Sequence, residues 1–66
     1  MISEGSVWKR IGDGWSAFYR GQYVIVLHTT ATLITYRYID EDTHLHTETE
    51  RGILSFLQRF KLVIDV

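Results

Sequence analysis

"TETERGILSFLQRFKLVIDV", residues 47–66, is the stretch on which the fold turns. From Ile53 the apolar residues fall at 53, 56, 57 and 60, with Leu54 flanking. That i, i+3, i+4, i+7 spacing marks one face of a helix. Ile53, Phe56, Leu57 and Phe60 are therefore expected in the core. Thr47 followed three residues later by Glu50 fits a capping box, in which each side chain satisfies the other's free backbone donor. Glu48 and Glu50 would then lie in the first turn, where negative charge complements the helix dipole. Gly52 inside the first turns costs roughly 1 kcal/mol against Ala, so the helix is expected to depend on docking. "KLVIDV" (61–66) reads as a terminal strand returning to a sheet.

Upstream, the chain reads as strands separated by turn signals. "SVWKRI" (6–11), "WSAFYR" (15–20), "YVIVLHT" (23–29) and "TLITYRYI" (32–39) are β-prone. "GDG" (12–14) is a turn signal, and "GQ" (21–22) places Gly first, as a type II′ turn wants. In 23–29, Tyr23, Ile25 and Leu27 share one face and Val24 and Val26 the other. A strand apolar on both faces belongs at the centre of a sheet. The expected fold is α+β: a small antiparallel sheet of four to five strands, one C-terminal helix packed on a face, and a short final strand. Residues 1–66 are expected to form a single compact domain.

The stretch "DEDTHLHTETE" (40–50) just before the helix has a competing reading. "DED" can be a hairpin tip and "THLHT" a strand pairing back on "TYRYI". With a three-residue loop, Ile39 faces Thr43 and Arg37 faces Leu45, while Tyr38 neighbours His44 and Tyr36 neighbours His46. His44 and His46 then point the same way and could bind a divalent metal, with Asp42 or Glu48 adding oxygen ligands. The helix entry claims Glu48 and Glu50, however, and breaks the run of ligands after His46. What remains is a lone His-x-His pair, with His28 on another strand. A turn followed by a capped helix accounts for the stretch, and no metal or other cofactor is expected.

Composition narrows the function. A 66-residue chain buries only about 60% of its unfolded surface. It has no cysteine, which excludes disulfides, thiolate zinc sites and cysteine nucleophiles. At 45% hydrophobic and 14% aromatic it lacks the signature of disorder, and so many rings on so little volume point to an interface as well as a core. The longest apolar run, "YVIVL", is five residues, far short of the ~20 that span a bilayer, and the N-terminus lacks the apolar stretch of a secretory signal. A soluble cytoplasmic protein with no membrane partner is expected. No G-x-S-x-G elbow, P-loop or dinucleotide fingerprint is present, so no enzyme is expected.

Charge is unevenly spread. Residues 1–37 carry four Lys/Arg against Glu4 and Asp13 (+2), 38–50 carry five acids and no Lys or Arg (−5), and 51–66 carry three Lys/Arg against Asp65 (+2), giving the formal −1. One function class that fits is a nucleic-acid-binding sheet using Lys9, Arg10, Arg20 and Arg37 with Trp/Tyr stacking. Strand alternation puts Tyr36 and Tyr38 on one face and Arg37 on the other, and a pI near 6.2 argues against a dominant phosphate footprint. Protein recognition fits better. Trp8, Trp15, Tyr19, Tyr36 and Tyr38 are candidate anchors, since Trp and Tyr dominate interface hot spots. Each has a core alternative, and Trp8 or Trp15 could be the central plug. The acidic tip Asp40, Glu41 and Asp42 could steer a basic partner. A small regulator or inhibitor of the kind made by viruses and mobile elements is expected. Its partner is another protein, and a homodimer would cover a sheet face or edge strand.

Overall fold

A computed structural model describes residues 2–11, 21–39 and 48–66. Among them are β1 (Val7–Arg10), β2 (Tyr23–Thr29), β3 (Leu33–Tyr38), β4 (Thr49–Gly52), α1 (Ile53–Arg59) and β5 (Phe60–Ile64). The sheet order is β4-β3-β2-β1-β5, and every neighbouring pair is antiparallel. β4 and β5 therefore run in the same direction at opposite edges, and α1 carries the chain from one to the other. β2 is central, as its two apolar faces require. The α+β architecture with a helix near the C-terminus and a final strand is the one the sequence predicts.

The helix entry differs from expectation. Gly52 is the N-cap, at φ −62° and ψ 146°, with no side-chain cap bond and no acid in the first turn. Glu50 does not enter the first helical turn, because Thr49–Gly52 is committed to β3, with Tyr36 opposite Thr49 and Thr35 opposite Glu50; Thr47, the other half of the expected capping box, lies outside the described residues. Gly at an N-cap is only a few tenths of a kcal/mol worse than Ser or Asn, so the expected mid-helix penalty does not arise. The same register corrects the hairpin: Tyr36 lies opposite Thr49 rather than beside His46. The strand at 15–20, the turn at 12–14 and the "THLHT" segment lie outside the described residues. Gly21 has the positive φ (87°) its turn role needs. Its N–H donates to Arg10 O, and the Arg10 N–H donates to Gln22 O, both at 2.8 Å.

Alternation along the strands places Trp8, Val24, Val26, Ile34, Tyr36 and Tyr38 on one face, where they meet Phe56 of α1 and Phe60 of β5. Phe56 is the hub. Its ring lies 5.1 Å from Trp8, 5.4 Å from Tyr36 and 4.5 Å from Phe60, the last pair stacked at 15°. Such pairs contribute about 0.5–1.5 kcal/mol each beyond burial. Phe60 is core as expected but belongs to β5, since the backbone turns extended at φ −131° after its N–H closes on Phe56 O. Leu57 departs from expectation: it is 46% exposed, because a seven-residue helix laid on the sheet buries only its central residue fully. No helix among the described residues is long and apolar enough to cross a membrane.

Candidate partner-binding surface

Three of the candidate anchors are interior. Trp8, Tyr36 and Tyr38 are 7%, 1% and 4% exposed, because all three sit on the helix-covered face. Their polar tips are satisfied inside the fold. Trp8 Nε1 donates to Ser6 Oγ at 2.9 Å, and Ser6 Oγ donates in turn to Ser3 O. The turn through Gly5, at φ 88°, folds Ser3 and Ser6 together. Tyr38 accepts from Arg10 Nη1 at 2.8 Å. Burial raises the Tyr38 pKa above its ordinary value, with the Arg10 hydrogen bond pulling the other way. Arg10 is itself buried, its guanidinium 5.4 Å from the Phe60 ring centre, so it presents no charge to a phosphate. Trp15, Tyr19, Arg20, Asp40, Glu41, Asp42, His44 and His46 lie outside the described residues.

Among the described residues the opposite face of the sheet is open, with no helix laid on it, and chemically mixed. Lys9 stands across from Tyr23 on one side and Lys61 on the other, with its Nζ 6.0 Å from the Tyr23 ring centre. Arg37 stands across from Ile25. Of the four cations assigned to nucleic acid, the structure thus brings Lys9 and Arg37 to this face and removes Arg10 from it.

Sequence reasoning missed an apolar surface along β5. β5 pairs with β1 on one side and is the edge of the described sheet on the other. Leu62, Val63 and Ile64 are 42%, 48% and 54% exposed, and Val66 beyond them 74%. Two successive β1 residues, Val7 and Trp8, pair with Ile64 and Leu62, so β5 carries one extra residue at a bulge. Leu62 also helps to line a groove of about 540 Å³ with Ile2, Trp8, Ile34, Ile53 and Leu57. Asp65 is the one charged lining residue described. Edge and groove form a continuous surface through Leu62. The run of three apolar residues in "LVI" was the available signal, since a strand with one solvated face alternates. Its position at an edge, however, depends on topology.

Among the described residues, no group of three or more His, Asp or Glu could hold a metal. His28 Nδ1 and Glu4 Oε2 lie 3.1 Å apart, both side chains exposed, and such pairs contribute little. Comparison with family models, curated proteins and solved structures found no match to the chain.

Proposed function

We propose that the protein is a small non-enzymatic protein-binding regulator that takes an extended apolar segment of a partner protein along β5. One observation carries this reading: the edge strand of the sheet presents Leu62, Val63 and Ile64 to solvent. An edge strand offers unpaired backbone donors and acceptors, and strand addition uses them for affinity while side-chain pockets supply specificity. The groove beside Leu62 is such a pocket, within the ~300–1,000 Å³ range of ligand sites. Lys61 and Asp65 bracket the apolar run. Opposite charges at its two ends favour one direction and register of an incoming strand.

The test is capture from lysate of the natural host, with and without nuclease, using the tagged wild type and a Leu62→Lys/Ile64→Lys variant. A stoichiometric protein band that survives nuclease and disappears with the variant is expected. A band retained by the variant would remove the β5 edge from the account. Capture that requires intact nucleic acid would move the function to the open face with Lys9, Lys61 and Arg37. Sedimentation of the purified protein addresses the second copy: a dimer that the same variant dissociates would identify the partner as this chain itself.

A further inference from the structure

We propose that Arg51, Ser55 and Arg59 form a binding site for a phosphoryl-type oxyanion, independent of the β5 surface. Ser55 and Arg59 lie one turn apart on the same side of α1, and Arg51 of β4 reaches the same serine from the strand that leads into the helix. Arg51 Nη1 donates to Ser55 Oγ at 3.2 Å, and Arg59 Nη1 donates to the same oxygen at 2.8 Å and to Ser55 O at 3.3 Å. Two guanidinium groups therefore converge on one hydroxyl.

What orients them is neutral. Arg51 Nε donates to the hydroxyl of Tyr36 at 3.2 Å, and Tyr36 is a fixed core residue at 1% exposure. Among the described residues neither arginine has a carboxylate within ion-pair distance; the ion pair there is His28–Glu4. Strand alternation explains why the nearest acid in sequence does not help. Glu50 pairs with Thr35 and Arg51 with Ile34, so Glu50 projects from the opposite face of the sheet.

The outcome is two cations held close together and aimed by neutral acceptors, with no carboxylate among the described residues paired to either. The Ser55 oxygen accepts from both, which leaves its own proton to donate. A tetrahedral oxyanion answers all of these features: it accepts from several converging donors, and planar guanidinium groups suit it geometrically. All three side chains are partly exposed, so a ligand can reach them. The chemistry is that of a phosphate, free or carried as a phosphate monoester on a partner's side chain.

The experiment is an NMR titration at constant ionic strength, following the arginine Nε–H signals of the full chain. Inorganic phosphate, a phosphoserine peptide and acetate are the three probes. Saturable shifts of Arg51 and Arg59 with phosphate or the phosphopeptide are expected, and the tighter of the two probes identifies the source. Arg51→Gln and Arg59→Gln should each weaken binding roughly tenfold or more, as for the loss of a charge-assisted hydrogen bond. Arg59→Lys, which keeps the charge but not the fork, should also weaken it while melting like the wild type. Linear, non-saturating shifts, equal binding of acetate, or affinity unchanged in the folded Arg59→Lys and Arg59→Gln variants would overturn the assignment.

Discussion

The two faces of this sheet have been put to opposite uses. One holds Trp8, Tyr36 and Tyr38 against Phe56 and Phe60, dry and aromatic. The other sets Lys9, Tyr23, Lys61 and Arg37 among half-buried aliphatic side chains. Among the described residues one helix serves as cover, and its Phe56 packs on one face of the sheet. The difference shows how a small protein without disulfides is held together: ring packing on one face substitutes for volume. It also shows where working surface remains, namely on the open face, along β5 and in the groove beside α1.

Substitutions on the two sides sharpen or break this contrast. The largest effect is expected from Phe56→Ala, which empties the hub of the ring cluster. Large-to-small changes of this kind cost about 3–5 kcal/mol, a large part of the roughly 3–10 kcal/mol available to a chain of this length. Loss of most of the cooperative thermal transition in circular dichroism is the expected outcome, and a midpoint close to wild type would mean the rings are not the core. Ser6→Ala should come next. It leaves the buried Trp8 indole N–H without its acceptor, a cost of about 1–3 kcal/mol readable in urea unfolding. Tyr36→Phe should cost less, about 0.5–1.5 kcal/mol, because Arg51 is partly exposed and can turn to water. Lys61→Gln on the open face should leave stability unchanged or raise it by a few tenths of a kcal/mol. It removes a like-charged pair directly opposite on neighbouring strands.

The buried hydroxyl of Tyr38 adds a pH signature to the covered face. Its pKa is raised in the folded state, chiefly by burial, so the folded protein holds this proton more tightly than the unfolded chain. Its contribution to stability is complete below about pH 10 and is lost as pH rises above that value. Urea midpoints measured on either side of pH 10 should fall more steeply in the wild type than in Tyr38→Phe. Parallel curves would contradict the assigned burial.

Much of the fold was legible in residue pattern. The double-sided apolar run at 23–29 marked the central strand, and the 53–56–60 spacing marked what meets the core. The helix entry was not legible, because Thr47-x-x-Glu50 satisfies a local capping rule that strand pairing to β3 overrides. Nor was the division of aromatics. Composition counts rings without saying which face the helix will cover, so Trp8, Tyr36 and Tyr38 looked as available as any others. The Arg51–Ser55–Arg59 spacing was visible in the sequence. That Glu50 does not pair with Arg51 was not, because it depends on which face of the sheet Glu50 takes.

The working claim is that β5 is the edge along which a partner protein adds a strand. Amide hydrogen exchange of the captured complex against the free protein tests it most directly. Amides from Lys61 to Asp65 on the side turned away from β1 are expected to exchange readily in the free chain and to slow by at least tenfold in the complex. Protection confined to other strands, with β5 unchanged on binding, would contradict it.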